Sequence, residues 1–586
     1  MTLSVTEYTD TFVFQRNKRR RYEAIPYSGT WGGTTPVKIQ YQLTTAAGAA
    51  ITSWLDASDV VVGTNFLGNG ILSFKTGVIN QWSEWYKISF RTLDVANAVI
   101  DTQAVNFRFG VGCRVWLGGQ SNVQFWSGAS NPANATFDFQ SVSGRGREGN
   151  RTVYTLGTAA TSMASVGDGE KTLNDALSNA FGCVVNLYNA AIDSAALNKS
   201  FDLFLGSFRW HLPPTPLVDP GYSADIGFAD LAATGGVELG IWQLGETESV
   251  QASRFLVPFE SDEHKTSFKR MVAKYRKLSG SHFPVFTFPL GAVTIGVLTA
   301  SLKDSHNRMR EIFSDHLGDD IFSIGSGAYP YEHNGAKLTA WTLDAGNVYQ
   351  SDETYAGSVV TQCIVDAGLG TEQGSKVALV ANNDWFFDVG VTDRVFFYSD
   401  AGDPDTVFTN PGVWPVIRQS DPYHLTKAGY AALAQQVADA VISYSRTGAP
   451  GQTNGPTVIE GRYGRSDQTI VDLYINHDVS GSSLVAMGGA LRTELFRVED
   501  DGVAVAISSA TIIGNNLIRL VLGAAVTGIG KFSHLADDGF DATTTNAWVG
   551  TPIASPTSGP CQDDNGRYLR PLSTRTSIAK YRGISL

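Results

Sequence analysis

The sequence predicts an α/β domain on a mainly parallel sheet, with a β-sandwich domain before it and a second β domain after it. Three observations carry this expectation. Apolar residues recur with period two up to about residue 110, and the pattern then switches between short apolar strands and 3.6-residue helical stripes from about 111 to 445. Beyond a Gly/Pro-rich stretch at 446–456 the period returns to two. At 586 residues the chain also exceeds what one hydrophobic core serves, so two to four domains are expected. The expected division is 1–110, 111–445 with an insert at about 315–415, a linker at 446–456, and 457–586.

In the first region Val37, Ile39, Tyr41 and Leu43 alternate with Lys38, Gln40 and Gln42. Tyr86, Ile88 and Phe90 alternate with Lys87, Ser89 and Arg91, and Val105, Phe107 and Phe109 repeat the pattern. Such strands bury one face and wet the other. In the second region Thr172-Leu173-Asn174-Asp175 reads as a capping box, with Leu173, Ala176, Leu177 and Ala180 on one face and Gly182 as the stop. A second helix carries Phe268, Met271, Val272, Tyr275 and Leu278, ends near Gly280 and leads into a strand at 283–288. A third follows His424, with Tyr430, Leu433, Ala434, Val437 and Val441 as its stripe. Strands alternating with helices of this length call for right-handed crossovers and a parallel sheet. In the last region Val471, Leu473 and Ile475, then Ile518, Leu520 and Leu522, alternate without helical stripes.

With 44 basic and 56 acidic residues and a net charge of -12, nothing global favours nucleic acid or an anionic membrane. The basic cluster Arg16-Asn17-Lys18-Arg19-Arg20-Arg21 reads as a solvated strand edge or a docking arm. Cys113, Cys183, Cys363 and Cys561 are far apart and lack C-x-x-C spacing, so they read as small buried residues, neither zinc ligands nor a disulfide framework. The N-terminus shows no basic region followed by an apolar run, and no 18-residue apolar segment occurs later, so neither a Sec-type leader nor membrane insertion is expected.

The chemistry centres on Val115-Trp116-Leu117-Gly118-Gly119-Gln120-Ser121-Asn122, an apolar strand that runs into two glycines and delivers one serine. A nucleophilic hydroxyl needs such a turn, at the carboxyl end of a buried strand where helix N–H groups can meet an oxyanion. A serine N-cap on an ordinary strand-to-helix turn reads the same way. Of the nine histidines only His424 has an aspartate three positions earlier, Asp421, directly before the third helix. A carboxylate that holds one imidazole nitrogen makes the other a general base, although a helix-cap histidine has the same appearance. Asn382-Asn383-Asp384 reads as an Asn-rich turn or as a further site block. Asp400, Asp403 and Asp405, and Asp537, Asp538 and Asp541, read as solvated turns, since neither set matches the calcium-loop pattern. The insert carries Tyr329, Tyr331, Trp341, Tyr349, Tyr355, Trp385, Phe386, Phe387 and Trp414, which suit a substrate-shaping wall or a local core, and for Trp385 to Phe387 the core is favoured.

Gly119-Gln120-Ser121-Asn122 together with Asp421-Pro422-Tyr423-His424 resembles the first and last blocks of the SGNH hydrolase superfamily, in its sialate O-acetylesterase-like carbohydrate esterase branch. Val185 to Ile192 resembles the strand before the second block, and Ile241-Trp242-Gln243-Leu244-Gly245-Glu246-Thr247-Glu248 resembles the Trp-x-Gln-Gly-Glu-x-Asp segment. The resemblance covers roughly 111–310 and 415–445 and implies a three-layer α/β/α sandwich that removes acyl groups, usually acetyl, from sugars. It implies Ser121, His424 and Asp421 as the catalytic residues. It also implies Gln120, Asn122, Ser194, Gln243 and Glu246 around the oxyanion and substrate, with no metal or cofactor. The chain departs from the pattern at Asp193-Ser194, where the family has Gly-Gly, and at Leu244, where it has Gln. The implied partner is an acetylated polysaccharide of capsule or O-antigen type, reached from the surface of a phage tail, a spike or a gene-transfer particle released by lysis. Other particle proteins and a second copy of the chain are compatible partners, and a cytoplasmic location is the alternative. The rival expectation is a receptor-binding spike that keeps the esterase scaffold only to bind polysaccharide.

Overall fold

The computed structural model describes the runs 12–64, 69–105, 107–120, 141–145, 151–155, 169–189, 235–243, 261–288, 317–324, 338–355, 358–365, 368–408, 413–419, 427–450, 456–477, 481–486, 493–534 and 572–580, with shorter pieces between them. The chain divides into two compact units, one of residues 1–195, 204–242 and 266–286, the other of 196–203, 243–265 and 287–586.

The first unit opens with two sheets. One is antiparallel, in the order Ser4–Val5, Tyr22–Gly32, Asn69–Asn80, Ser58–Val62. In the other, Lys38–Thr45, Tyr86–Leu93 and Val99–Ala104 pair antiparallel in chain order. The expected alternation holds from Ile39 on, because Ile39, Tyr41, Leu43, Ile88 and Phe90 are buried while Lys38, Gln40 and Gln42 are half-exposed; Val37, just before the strand, is exposed. The inner faces meet through aromatic rings, with Phe90 4.7 Å from Tyr27 and 5.1 Å from Phe74.

The strand Phe109–Gly119 passes from this sandwich into a second architecture. Its first part pairs parallel with Phe12–Gln15, from Phe109 opposite Phe12 to Gly112 opposite Gln15. Its second part pairs parallel with Val185–Asn189, from Cys113 opposite Val185 to Leu117 opposite Asn189. Gly112 stands at the changeover, and a Cβ there would lie 1.9 Å from the Val184 carbonyl oxygen, so only glycine lets the two backbones approach. The sheet continues in the order Arg151–Thr155, Ser141–Arg145, Val185–Asn189, Phe109–Gly119, Leu239–Gln243, Val285–Thr287. Ser141–Arg145 is parallel to Val185–Asn189 and antiparallel to Arg151–Thr155. All eleven residues of Phe109–Gly119 are buried, as a strand covered on both faces requires.

Among the described residues three helices exceed a single turn: α1 (Gly169–Phe181), α2 (Ser261–Ser279) and α3 (Lys427–Thr447). The expected stripes of α2 and α3 are buried at Phe268, Met271, Val272 and Tyr275, and at Tyr430, Leu433, Ala434, Val437 and Val441. Gly280 ends α2 at φ +66°, and Gly182 comes after α1 at φ +59°. The capping box at Thr172 is corrected, because α1 begins at Gly169 and Thr172 lies inside it. Its buried face is Leu173 and Leu177 with Asn174 and Ser178, and the Asn174 amide donates to the Val185 carbonyl at 3.2 Å.

The second unit is dominated by sheet. Four strands run in the order Glu332–Asn334, Val413–Gln419, Ser358–Val365, Gly368–Leu369. Five more run Trp341–Ala345, Val348–Ser351, Val395–Tyr398, Asp384–Phe387, Thr371–Glu372. They share a core of Val360, Cys363, Val365, Trp385, Phe387, Phe397 and Val413. Further on, Val471, Leu473, Ile475, Ile518, Leu520 and Leu522 fill a separate core, with Ile470–Asn476 antiparallel to Leu517–Leu522. The described chain is therefore β-rich with mixed sheets and few helices. No described helix is long and apolar enough to cross a membrane.

Candidate active site

The carboxyl end of Phe109–Gly119 is built by close packing. Val115, Trp116 and Leu117 are fully buried, and the Trp116 ring lies 5.6 Å from Trp242, 5.5 Å from Tyr275 and 6.1 Å from Phe283. A Cβ at Gly118 would come within 2.6 Å of both Trp116 and Trp242, so this position has room for glycine only. Gly119 then adopts φ +133°, a conformation that L side chains rarely reach. Gln120 is buried, and the Val123 amide donates to the Gln120 carbonyl at 3.0 Å. Ser121 and Asn122, between those two residues, lie outside the described residues.

The neighbouring strand ends fit the same picture. The Arg114 carbonyl accepts from the Glu238 N–H at 2.9 Å, Trp116 faces Gly240, and Gly118 faces Trp242. These contacts advance together, so Leu239–Gln243 runs parallel to Phe109–Gly119. Val185–Asn189 ends level with Leu117 on the other side. Three of the sequence blocks thus come directly after the carboxyl ends of three adjacent parallel strands, where open α/β sheets place their ligands. Gln243, the last residue of its strand, is 3% exposed, and its Oε1 has no hydrogen-bond partner among the described residues. Asp193, Ser194, Leu244 and Glu246 lie outside the described residues.

The same strands carry a buried ionic network that local sequence pattern does not announce. Arg16, expected in a solvated cluster, is 6% exposed and forks onto Glu238, with Nε 2.9 Å from Oε2 and Nη2 2.8 Å from Oε1. Its Nη1 donates to Gln81 Oε1 at 2.6 Å and to Cys183 Sγ at 3.3 Å, and the guanidinium lies 4.9 Å from the Phe181 ring. Gln15 donates to Glu238 at 3.0 Å and accepts the Arg114 N–H at 2.7 Å, which continues the ladder where Phe12–Gln15 ends. Lys18, Arg19, Arg20 and Arg21 are exposed, so the expectation is corrected for Arg16 alone. Burial would raise the Glu238 carboxyl, but the Arg16 hydrogen bonds and charge, helped by Gln15, hold it below the usual carboxylate range. Burial pushes the Cys113 thiol well up and the Cys183 thiol up to about 11. A signal was present in the sequence, for Glu238 is one acid within the apolar run Val237-Glu238-Leu239-Gly240-Ile241-Trp242 and its burial demands a cation.

In the second unit Val413–Gln419 leads to position 420 and α3 begins at Lys427. Asp421 and His424, between them, lie outside the described residues. Asn382-Asn383-Asp384 forms a turn, with Asn383 at φ +73°. The buried Asp384 carboxylate accepts from the Val380 and Ala381 amides at 3.0 and 2.9 Å and from Gln373 at 3.0 Å. Trp385 and Phe387 are core residues. Asp403 accepts from the Asp405 amide and Asp400 from Asn382, as turn aspartates do. Asp537, Asp538, Asp541, Tyr329 and Tyr331 lie outside the described residues.

No protein-family model matches this chain, and no curated protein matches it in sequence. Among solved structures it is similar to a carbohydrate acetylesterase from Xanthomonas citri, at 12% identity and a TM-score of 0.48, with 97% of this chain and 98% of that chain covered. It is also matched to a β-glucuronidase from Parabacteroides merdae, at 9% identity and a TM-score of 0.16, with 91% and 75% covered. At TM-scores below 0.5 neither likeness fixes a fold or an activity.

Proposed function

We propose that the chain is a carbohydrate O-acetylesterase acting on acetylated surface polysaccharide through Ser121, His424 and Asp421. The observation that carries this reading is the end of the central strand. A wholly buried parallel strand stops at Gly118 and at Gly119 with φ +133°, and the next residue but one is Ser121. That arrangement is wasteful for a plain connection and apt for a nucleophile.

In the proposed reaction His424 takes the Ser121 hydroxyl proton as the oxygen attacks the acetyl carbonyl, and Asp421 holds the imidazole and stabilises its charged form. The oxyanion is held by donors around Gln120, Asn122 and Ser194, with Gln243 and Glu246 toward the substrate. Collapse breaks the bond between the acetyl carbon and the sugar oxygen, which takes the proton from His424 and leaves as a free hydroxyl, with the acetyl group left on Ser121. Water, deprotonated by His424, then releases acetate and restores Ser121.

The second reading is a binding protein on an esterase scaffold, displayed on a particle, and Asp193-Ser194 and Leu244 favour it. Acetate release from an aryl acetate and from an acetylated bacterial polysaccharide, measured for wild type, Ser121→Ala and His424→Ala, separates the two. Release by the wild type alone supports the esterase. Polysaccharide binding by inert wild type and variants alike supports the scaffold.

A further inference from the structure

We infer that the outer sheet face around Trp54, in the first β region, is a binding site for a carboxylated polysaccharide, and it shares no residue with the proposed catalytic set. The short strand Leu55–Asp56 pairs with the edge of Lys38–Thr45, with Asp56 opposite Gln40 and Leu55 opposite Tyr41. The chain just before it is pinned, because the Leu43 N–H donates to the Thr52 hydroxyl oxygen at 3.0 Å and Gln42 Nε2 donates to the Thr52 carbonyl at 3.0 Å. Just after it the Ala57 N–H donates to the Ile39 carbonyl at 2.9 Å. Trp54 thus stands on a short segment that is fixed at both ends.

Trp54 is no part of the sandwich core, and it stays half-buried with its ring centroid 4.5 Å from the Arg91 guanidinium. Arg91 is fixed in turn. Its Nε donates to Gln40 Oε1 at 2.8 Å, Gln40 Nε2 donates to Asp56 Oδ1 at 2.7 Å, and Asp56 Oδ2 pairs with Lys38 Nζ at 2.8 Å. An indole kept out of the core yet held in one orientation is organised for contact from outside, because its ordering is complete before a ligand arrives.

Charge and spacing select the ligand. Gln40, Arg91 and Thr102 stand level across three strands, Gln42, Ser89 and Ala104 form the next row, and Thr44 stands opposite Lys87. Asp56 neutralises Lys38, and Asp101, the other carboxylate of these strands, accepts from the Leu3 and Thr102 N–H groups at 2.7 and 2.8 Å. Arg91 and Lys87 have no carboxylate partner among the described residues, so this face keeps two open positive charges on a chain of net charge -12. With a Debye length of about 8–10 Å, a ligand meets that local balance and not the charge of the whole chain. The Arg91 terminal nitrogens suit a carboxylate taken by two parallel hydrogen bonds, and the indole suits the apolar face of a pyranose. The half-exposed Ser89 and exposed Thr102 add hydroxyls for a hydroxyl-rich ligand. Arg91 and Lys87 are four residues apart on one strand, about 13 Å. Such sparse charge matches a sugar chain with a carboxylate every few units, whereas a nucleic-acid strand, with a phosphate every few ångström, would meet too few cations.

The test is affinity electrophoresis of the full native chain through gels that hold alginate, polygalacturonate or hyaluronan, each beside its carboxyl-reduced form. Wild type is expected to be retarded by at least one carboxylated polymer and not by the reduced form, and less so in about 0.5 M salt. Trp54→Ala and Arg91→Gln are each expected to weaken that binding roughly 10-fold or more. Retardation by none of the carboxylated polymers overturns the inference, as does equal retardation by the reduced forms or undiminished retardation of Trp54→Ala. Retardation in polyglutamate or oligothymidylate gels alone gives the face to an acidic peptide or to nucleic acid and also overturns it. Hydroxyl-radical footprinting of the unmodified chain needs no substitution. The retained polymer is expected to shield Trp54, and unchanged labelling there overturns the inference. Binding alone is read, so the outcome is independent of whether the chain cleaves esters.

Discussion

Arg16→Met tests the buried network most directly. The substitution keeps an apolar stem of similar length but strands the Glu238 carboxylate, whose side chain is 2% exposed, while leaving it the hydrogen bond from the Gln15 amide. Removing one partner of a buried ion pair costs about 3–5 kcal/mol, because the other charge keeps its desolvation penalty. For a unit of this size that corresponds to a fall of roughly 10 °C in Tm. The dependence on pH has a definite sign. In the wild type the Glu238 carboxyl lies below the usual range, so its contribution is complete above the ordinary glutamate value and is lost as pH falls through the depressed one. In Arg16→Met the largest opposition to burial is gone, with the weaker Gln15 hydrogen bond left, so the carboxyl rises and protonation on acidification relieves the variant. The gap between the two proteins should be widest near neutral pH and narrow toward about pH 4. Calorimetry with tryptophan fluorescence across pH, on wild type, Arg16→Met and Arg16→Met/Glu238→Leu, measures this. The double variant should recover most of the loss, as apolar replacements of buried pairs do. A double variant as unstable as the single one, or a gap that does not change with pH, refutes the idea of a stranded charge.

Other outcomes rest on single positions. Gly118→Ala places a methyl within 2.6 Å of Trp116 and Trp242, and chemical denaturation should show a loss of about 1–3 kcal/mol. Gly119→Ala must hold φ +133°, which costs about 1–3 kcal/mol and should lower kcat more than stability, since it turns the backbone two residues before Ser121. Asp384→Ala removes the acceptor of three hydrogen bonds and should destabilise the insert by about 2–4 kcal/mol in thermal unfolding; an effect on KM alone would instead return Asp384 to the substrate site. The buried Cys113 and Cys183, with their thiols raised, should resist alkylation at pH 8 until the chain unfolds, as peptide mass mapping would reveal. Burial pushes the His264 imidazole down to about 3, so the unfolded chain gains a proton that the folded one refuses, and stability should fall between about pH 6.5 and pH 3; His264→Gln should flatten that slope.

Much of the architecture is legible in the chain itself. Periods of two and 3.6 reflect local geometry, so Ile39, Tyr41 and Leu43, the stripes of α2 and α3, and the core alternation of 471–475 can be read without knowing any partner. Gly118 and Gly119 announce a turn for the same local reason. The start of α1 departs from expectation because Thr172 has the chemistry of a cap, and which residue caps depends on the chain upstream of it. Arg16 departs from expectation because a charged side chain close to four other cations looks solvated until an acid from 222 positions away closes on it. Helical and strand periods, glycine turns and the candidate nucleophile were thus set by the sequence alone, since each rests on neighbours within a few residues. The passage of one strand through two architectures, the buried partner of Arg16, and the stacking of Arg91 on Trp54 were decided only by the tertiary structure, because each joins residues whose proximity arises from the packing of distant segments.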